Sequence, residues 1–355
     1  MRHLLVLSGY RLAEGRSGEA VHLRELTRAL TAAGHRTTVL DGPLHPGRPV
    51  SDPQTELGPL RAELDRLLRA DRPDAALLWP GADGEETPLV DRLVAAGVRL
   101  VVEHPAADLP PAAGTLERAD EVVVPSAYAR EQLAAGGGPW AHVVAPMSRP
   151  CDCPAVRPPV GRRGPVRVTF VNPEPAKGLG VVLTLAGVAA ARRLPFRFRL
   201  VEGRWTAVDL RRVGVDPDRC PNVEVTPFRE DVCALYAETD LLLAPSLWRE
   251  SFGMVAREAT LHGLPVLATR VGGLPEAVGA GGVCLDPPAS DADYAVTMSA
   301  AEIRRWLEAM VAAVRGDAPQ VAPGLRARAA AATVAAYQEL LDWPTAVGTG
   351  GQART

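Results

Sequence analysis

The sequence predicts two Rossmann-like α/β domains facing across a cleft. Three observations carry this. The chain has 355 residues, more than one ordinary core and enough for two domains of roughly 150–180 residues each. Short apolar runs of strand length alternate with helical segments, and the alternation happens twice. A proline-rich stretch separates the two cycles. Glycine loops and helix N-termini from both halves then point into the cleft, where ligands bind.

The first cycle opens with His3-Leu4-Leu5-Val6-Leu7, a continuous apolar run of the kind buried on both faces of a parallel sheet. The loop Glu14-Gly15-Arg16-Ser17-Gly18 follows. A helix with apolar positions Val21, Leu23, Leu26 and Leu30 ends near Gly34, and Arg36-Thr37-Thr38-Val39-Leu40 is the second strand. Strand, glycine loop, helix, strand is how a doubly wound domain begins. Ala75–Trp79, Arg99–Val102 and Glu121–Val124 continue as strands, with helices over Leu60–Leu68 and Leu89–Ala95 between them. Ser126 caps a helix from Ala127 to about Ala135, its side-chain oxygen taking a backbone N–H that the helix cannot satisfy.

From about Met147 to Pro165 the prolines at 150, 154, 158, 159 and 165 break any regular element, which marks the interdomain linker. The rhythm then restarts. Val166–Val171, Phe196–Val201, Asn222–Val225, Leu241–Ala244 and Pro265–Ala268 read as strands, with a helix over Leu179–Arg192. Ser299-Ala300-Ala301-Glu302 has capping-box spacing and starts a helix to about Val314; a last helix runs from Gly324 to Leu341. The tail from Pro344 is small, polar and expected to be disordered.

Composition excludes several classes. A hydrophobic fraction of 47% supports a sizeable core, and a net charge of -3 gives no electrostatic case for nucleic acid. No run approaches the roughly 18 apolar residues of a membrane helix. Met1–Tyr10 lacks the features of a signal peptide, so the expected location is cytoplasmic. The five cysteines, Cys151, Cys153, Cys220, Cys233 and Cys284, have neither the number of a disulfide framework nor the spacing of a metal site, and are read as thiols. Lys177 is the only lysine in the chain; every other basic side chain bar histidine is arginine, which invites a chemical reason for this one.

The informative stretch is Pro245-Ser246-Leu247-Trp248-Arg249-Glu250-Ser251-Phe252-Gly253-Met254-Val255-Ala256-Arg257-Glu258-Ala259. It follows a buried strand and begins a helix. Gly253 lets backbone approach a ligand closely, and the N–H groups of the helix start favour a phosphate. Glu250 precedes the helix and Glu258 lies one to two turns inside it. The two carboxylates therefore line one cavity at different depths, which suits two polyols on one ligand.

Here the chain resembles family 4 of the retaining glycosyltransferases. The hallmark is E-x7-E on a strand–turn–helix, then G-x-P-V, then G-G-x-x-E. In this sequence these are Glu250 to Glu258, Gly263-Leu264-Pro265-Val266 and Gly272-Gly273-Leu274-Pro275-Glu276. The early glycine loop, Ala119–Ser126 and Lys177-Gly178 also fit. The resemblance implies the GT-B fold. It also implies an acceptor-binding domain over residues 1–155, a nucleotide-sugar domain over 156–325, and a terminal helix over 326–343 packing back toward the first domain, with 344–355 as tail.

The resemblance further implies roles. Glu250 binds donor-sugar hydroxyls and Glu258 the nucleotide ribose. Backbone around Phe252, Gly253, Met254 and Val255 holds the sugar and diphosphate, Lys177 neutralises the leaving diphosphate, and backbone near Phe228 meets the base. Ser17 and Gly18 close over the phosphates, and His104 lies near the sugar. The nucleotide-diphosphate sugar is a co-substrate; no intrinsic metal or other cofactor is expected. The acceptor is a small molecule or lipid-linked, and a hexose or N-acetylhexosamine moves to its hydroxyl with configuration retained. The high-GC character is compatible with natural-product or cell-envelope chemistry.

One position departs from the family. The arginine usual five residues before the lysine is Asn172 here, an amide that hydrogen-bonds without charge. Either another arginine, Arg16 or Arg249, takes its place, or catalysis is weaker. Two other readings stand beside transfer: a nucleotide-sugar epimerase on the same fold, and a non-catalytic sugar-nucleotide binder. Plainer readings also apply residue by residue. His22 and His262 are read as structural, Gly272 and Gly273 as ligand-contacting rather than merely turn-forming, and Trp248 as either core or sugar pocket. The series Arg61, Arg66, Arg69 and Arg72, interleaved with Glu63, Asp65, Asp71 and Asp74, reads as a solvated face.

Overall fold

A computed structural model describes residues 1–10, 12, 17–44, 57–80, 86–104, 113–148, 164–216, 219–317 and 324–342. Arg16, Cys151, Cys153, most of the proline-rich linker and the tail from Pro344 lie outside the described residues.

The first half alternates strand and helix: β1 (His3–Tyr10), α1 (Gly18–Ala32), β2 (Arg36–Leu44), α2 (Gly58–Ala70), β3 (Ala75–Trp79), α3 (Thr87–Ala95), β4 (Arg99–Glu103), α4 (Ala113–Leu116), β5 (Glu121–Val124), α5 (Ala127–Ala135) and β6 (His142–Val143). All pairings are parallel, in the order β2-β1-β3-β4-β5-β6. Leu4, Leu5, Val6 and Leu7 are all buried, because alternate residues of β1 face helices on opposite sides of the sheet. α1 places Leu23, Leu26 and Leu30 on one face against Leu4 and Val6; each such leucine contributes about 1.5–3 kcal/mol by leaving water.

The second half repeats the scheme: β7 (Val166–Val171), α6 (Leu179–Ala191), β8 (Phe196–Val201), α7 (Ala207–Arg212), β9 (Val223–Thr226), α8 (Val232–Ala237), β10 (Leu241–Ala244), α9 (Met254–Leu261), β11 (Val266–Thr269), α10 (Leu274–Val278) and β12 (Gly282–Leu285). Its parallel sheet runs β12-β11-β10-β7-β8-β9. β7 and β10 are neighbours in space although far apart in sequence. The chain order reverses between them, and such a switch point opens a crevice beyond the carboxyl ends of the strands. β1 and β3 make the same kind of reversal in the first sheet. The two sheets carry the GT-B architecture.

α11 (Ala300–Ala312) opens on the capping box: Glu302 N–H donates to the Ser299 hydroxyl, and the Glu302 carboxylate accepts from Ser299. α12 (Leu325–Asp342) lays Tyr337, Leu340 and Leu341 into the core of the first half beside Leu23 and Leu26. Cys220 and Cys284 are free thiols. Cys233 is disulfide-bonded, a departure from the expectation of thiols throughout; sequence spacing does not report which side chains fold together. No described helix is long and apolar enough to cross a membrane.

Candidate active site

The two loops that leave β7 and β10 at the switch point bring Lys177 and Glu250 together. After β7, Pro175–Lys177 forms a single 3-10 turn, and Gly178 follows at φ 93° before α6. A β-carbon at Gly178 would overlap the Pro245 carbonyl oxygen, so only glycine lets the two loops touch backbone to backbone. The N–H groups of Leu247 and Trp248 then both donate to the Ala176 carbonyl, at 2.9 and 3.2 Å. Main chain thus fixes the spacing between Lys177 and Glu250.

Lys177 Nζ lies 2.6 Å from Glu250 Oε1, and the two side chains are 22% and 15% exposed. A charge-assisted hydrogen bond this sheltered holds the ammonium at a defined point. The Nζ also stands 5.2 Å from the Trp248 ring centroid, a cation–π contact on a second side. Trp248 therefore shapes the site rather than filling the core; it is 38% exposed.

The Glu250 loop rests on the Gly272-Gly273 turn. Gly273 N–H donates to the Glu250 carbonyl at 2.7 Å. Gly272 has φ 55°, and a β-carbon at either glycine would overlap a carbonyl oxygen of Glu250 or Ser251. This close packing accounts for both glycines without any ligand.

α9 begins just beyond. Its N-cap is Gly253, which has no side chain to cap it, and no acidic residue sits in its first turn. Its N-terminal N–H groups, from Met254 and Val255 onward, suit an anion by geometry and dipole. Phe252 is buried against Leu274 and Ala277 of the same core cluster. Glu258 is buried in the second turn, and Tyr236 donates its hydroxyl to Glu258 Oε2 at 3.2 Å. His262 Nδ1 donates to the Glu258 carbonyl at 2.7 Å, and burial lowers the pKa of this ring. It is a structural histidine.

Asn172 stands at φ 60°, in the left-handed region that few side chains other than asparagine enter. Its Nδ2 donates to Glu174 Oε1 at 2.5 Å and its Oδ1 accepts from Arg204 N–H at 3.0 Å. Glu174 in turn takes Arg204 Nε and Nη2 at 2.9 and 2.8 Å. The asparagine orders the loop after β8 and seats the Arg204 guanidinium beside its own position. Of the arginines named from sequence, Arg249 is exposed next to Glu250. Arg204 was missed because only the pairing of β8 with β7 places it there. Phe228 is half-buried after β9, at the carboxyl end of the same sheet.

The first half contributes from its own switch point. Ser17 caps α1, accepting from Ala20 N–H at 3.2 Å. A β-carbon on Gly18 would come 2.9 Å from Met254 Cγ, so the start of α1 meets the start of α9 across the cleft. His104 is buried directly after β4, its N–H bonded to the Val123 carbonyl. Two further contacts join the halves. Glu276 accepts from the N–H groups of Ala127 and Tyr128 at 2.8 and 3.0 Å, and Ser126 donates its hydroxyl to the Ser251 carbonyl at 2.6 Å. The helix-capping role of Ser126 was legible in sequence; its reach across the cleft was not.

A buried polar cluster under the first half also escaped the sequence reading. Glu103, the last residue of β4, accepts from His22 Nε2 at 2.9 Å and from the Tyr337 hydroxyl at 2.6 Å. Met147 N–H donates to His22 Nδ1 at 2.7 Å, which fixes the proton on Nε2. Glu19, in the first turn of α1, has a buried Oε1 with no hydrogen-bond partner. Burial and the Glu103 charge push its carboxyl up to about 8. Among the described residues no group of three or more His, Cys, Asp or Glu side chains is placed to hold a metal ion.

Comparison with known proteins falls on the same elements. Residues 167–302 match the family described as Glycosyl transferases group 1, a span that takes in Lys177, Glu250, Glu258 and the Gly272-Gly273 turn. The D-inositol 3-phosphate glycosyltransferase of Corynebacterium efficiens is 47% identical over 73 residues, 19% of this chain and 17% of the relative, so the match spans well under a quarter of the relative's length. Whole-chain likeness appears in solved structures. Anabaena HepE in complex with UDP and glucose superposes with a TM-score of 0.62 at 18% identity, over 96% of this chain and 99% of that one. The UDP-GlcNAc 2-epimerase of Methanocaldococcus jannaschii does so with a TM-score of 0.59 at 11% identity, over 95% and 99%. The chain has the GT-B fold, and residues 167–302 of its second half match the group 1 glycosyltransferase family.

Proposed function

We propose that the protein is a retaining glycosyltransferase that moves a hexose or N-acetylhexosamine from a nucleoside-diphosphate sugar to an acceptor hydroxyl. The observation that carries this is the Lys177–Glu250 pair, held by backbone at the switch point of the second sheet beside the start of α9, whose N-cap is Gly253. A diphosphate seated on that helix start places its leaving oxygen near the only ammonium side chain in the protein. Glu250 takes donor-sugar hydroxyls, and Glu258, one to two turns deeper, takes the ribose.

In the transfer step the bond from the anomeric carbon to the β-phosphate oxygen breaks, and the acceptor oxygen bonds the same carbon on the same face. The acceptor proton passes to the departing phosphate. Lys177 neutralises the charge that grows there, and the scheme uses no protein nucleophile and no resident metal. Arg204, held by Glu174 beside Asn172, is the candidate for a second phosphate cation. UDP sugars are the first donors to try, because HepE is described with UDP and glucose.

The test is a thermal-shift panel of nucleoside diphosphates and their sugars. A ligand that binds only the native state stabilises it by about 2.7 kcal/mol at a hundred times its Kd, so one selective shift identifies the base. Glu250→Ala is expected to fold normally and to abolish transfer; full activity in that variant refutes the assignment. The epimerase reading is favoured by the M. jannaschii neighbour. It predicts conversion of the donor sugar with no acceptor present, which an NMR time course detects.

A further inference from the structure

The two charged groups on which the donor depends are engaged with each other. Lys177 Nζ sits 2.6 Å from Glu250 Oε1, in side chains only 22% and 15% exposed. Drawing apart an ion pair this sheltered leaves an uncompensated charge in a site with little water. The Trp248 ring holds the ammonium on a second side, 5.2 Å from the ring centroid.

The roots of the two side chains are fixed. The carbonyl of Ala176, just before Lys177, accepts from the N–H groups of Leu247 and Trp248. The Ser246 hydroxyl donates to that carbonyl at 3.3 Å, and the Ser246 carbonyl takes the buried Thr269 hydroxyl at 2.5 Å. On the far side, Gly273 N–H holds the Glu250 carbonyl. A ligand therefore reaches either charge by drawing the side chains apart, against the pair, and not by moving the loops.

We propose that the Lys177–Glu250 pair makes the site select a nucleoside-diphosphate sugar over the free nucleoside diphosphate, and so drives release of the product nucleotide. The proposal rests on the transfer reading and adds to it a preference for donor over product. A nucleoside diphosphate alone draws the ammonium toward its phosphates. Glu250 is then a sheltered carboxylate without its cation, beside further negative charge. The donor also brings sugar hydroxyls, which donate to that carboxylate and offset the loss. Sugar and diphosphate thus bind with positive coupling, because the pair that either one breaks is already broken for the other. Once the sugar has left on the acceptor, Glu250 takes Lys177 back and the nucleotide loses its cation.

The experiment measures affinities by calorimetry, without acceptor, for the wild type, Glu250→Gln and Glu250→Ala. The probes are UDP with UDP-glucose and UDP-N-acetylglucosamine, GDP with GDP-mannose, and ADP with ADP-glucose. In the wild type a donor is expected to bind about tenfold more tightly than its own nucleoside diphosphate. Both variants are expected to bind that nucleoside diphosphate about tenfold more tightly than the wild type does, and the donor no more tightly than the nucleotide. Simple relief of repulsion is separated by NMR of the protein grown on 13C-lysine, which shows one lysine because Lys177 is the only one. Saturating nucleoside diphosphate is expected to move the wild-type Lys177 ε signal to its position in the nucleotide-bound variants. Nucleotide affinity that stays the same or falls in both variants overturns the proposal. So does a wild-type donor that binds no better than its nucleotide, or a Lys177 signal that saturation leaves in place. Failure of every nucleotide to bind any of the three proteins refutes the transfer reading itself, whereas binding without these differences refutes the proposal alone.

Discussion

Lys177 is one ammonium among 38 arginines, and its surroundings explain why an arginine would not serve. The Nζ makes one short contact to Glu250 and one to the face of Trp248, in a space bounded by two backbone loops. A guanidinium is planar and wider, and would pair with Glu250 in a fork that points away from a third partner. Lys177→Ala is expected to lower kcat by about a hundredfold and to remove the thermal shift with nucleoside diphosphate; Lys177→Arg recovers binding more than rate. Release of nucleoside diphosphate measures both. Glu19 gives a second prediction at this scale. Its folded pKa of about 8 lies above the ordinary carboxylate value, so between about pH 4.5 and 8 the folded chain holds a proton that the unfolded chain has lost. Stability from this group is present below that window and lost as pH rises through it. Melting curves at pH 5 and pH 8 are expected to show Glu19→Gln losing less stability than the wild type.

The elements obey sequence rules where apolar period and caps both speak. β3, β5, β7, β8 and β10 begin and end where the sequence predicts: β3 and β10 as apolar runs buried between helices, β8 through the alternation of buried Phe196, Phe198 and Leu200 with arginines. Ser126 and Ser299 mark α5 and α11 to the residue, since a cap is a local contract between a hydroxyl and an N–H two or three positions on. β1 and β2 extend beyond their apolar cores, to Tyr10 and Leu44, because strand pairing rather than hydrophobicity carries them on. Within the site, Lys177, Glu250 and Glu258 were legible from linked motifs. Arg204 and Glu103 were not, and Glu276 was legible as a motif position but not in its contact: each acquires its partner through sheet order or across the cleft, at a sequence separation no local pattern records. The Gly272-Gly273 turn shows the same limit, since its role is to seat the Glu250 loop. Gly272→Ala is expected to cost about 1–3 kcal/mol from strain at a positive φ and overlap with Glu250, and to lower activity by shifting that carboxylate. Chemical denaturation and turnover measured together check this, and an unchanged midpoint would remove the packing argument.

At the scale of the whole molecule, contacts among the described residues tie the halves close to the chemistry. Glu276 follows the Gly272-Gly273 turn that carries Glu250, and it caps α5 of the opposite half by accepting two N–H groups at that helix's start. The Ser126 hydroxyl, which caps the same helix from within, donates to the carbonyl of Ser251. A carboxylate at a helix N-terminus contributes about 0.5–2 kcal/mol, enough to bias closure of the cleft without locking it. α12 ties the chain back in a different way: it is packed into the first half's core, and Tyr337 reaches Glu103. Removing the Glu276 contact should therefore open the cleft while leaving each half folded. Glu276→Ala is expected to increase the radius of gyration in small-angle scattering and to lower kcat/KM for transfer about tenfold. Nucleoside diphosphate affinity should change little, because the donor contacts of the second half remain. Glu276→Gln, which keeps one acceptor oxygen without the charge, falls between. A scattering curve identical to the wild type's, with transfer unimpaired, would show that the two halves are held in register by other contacts.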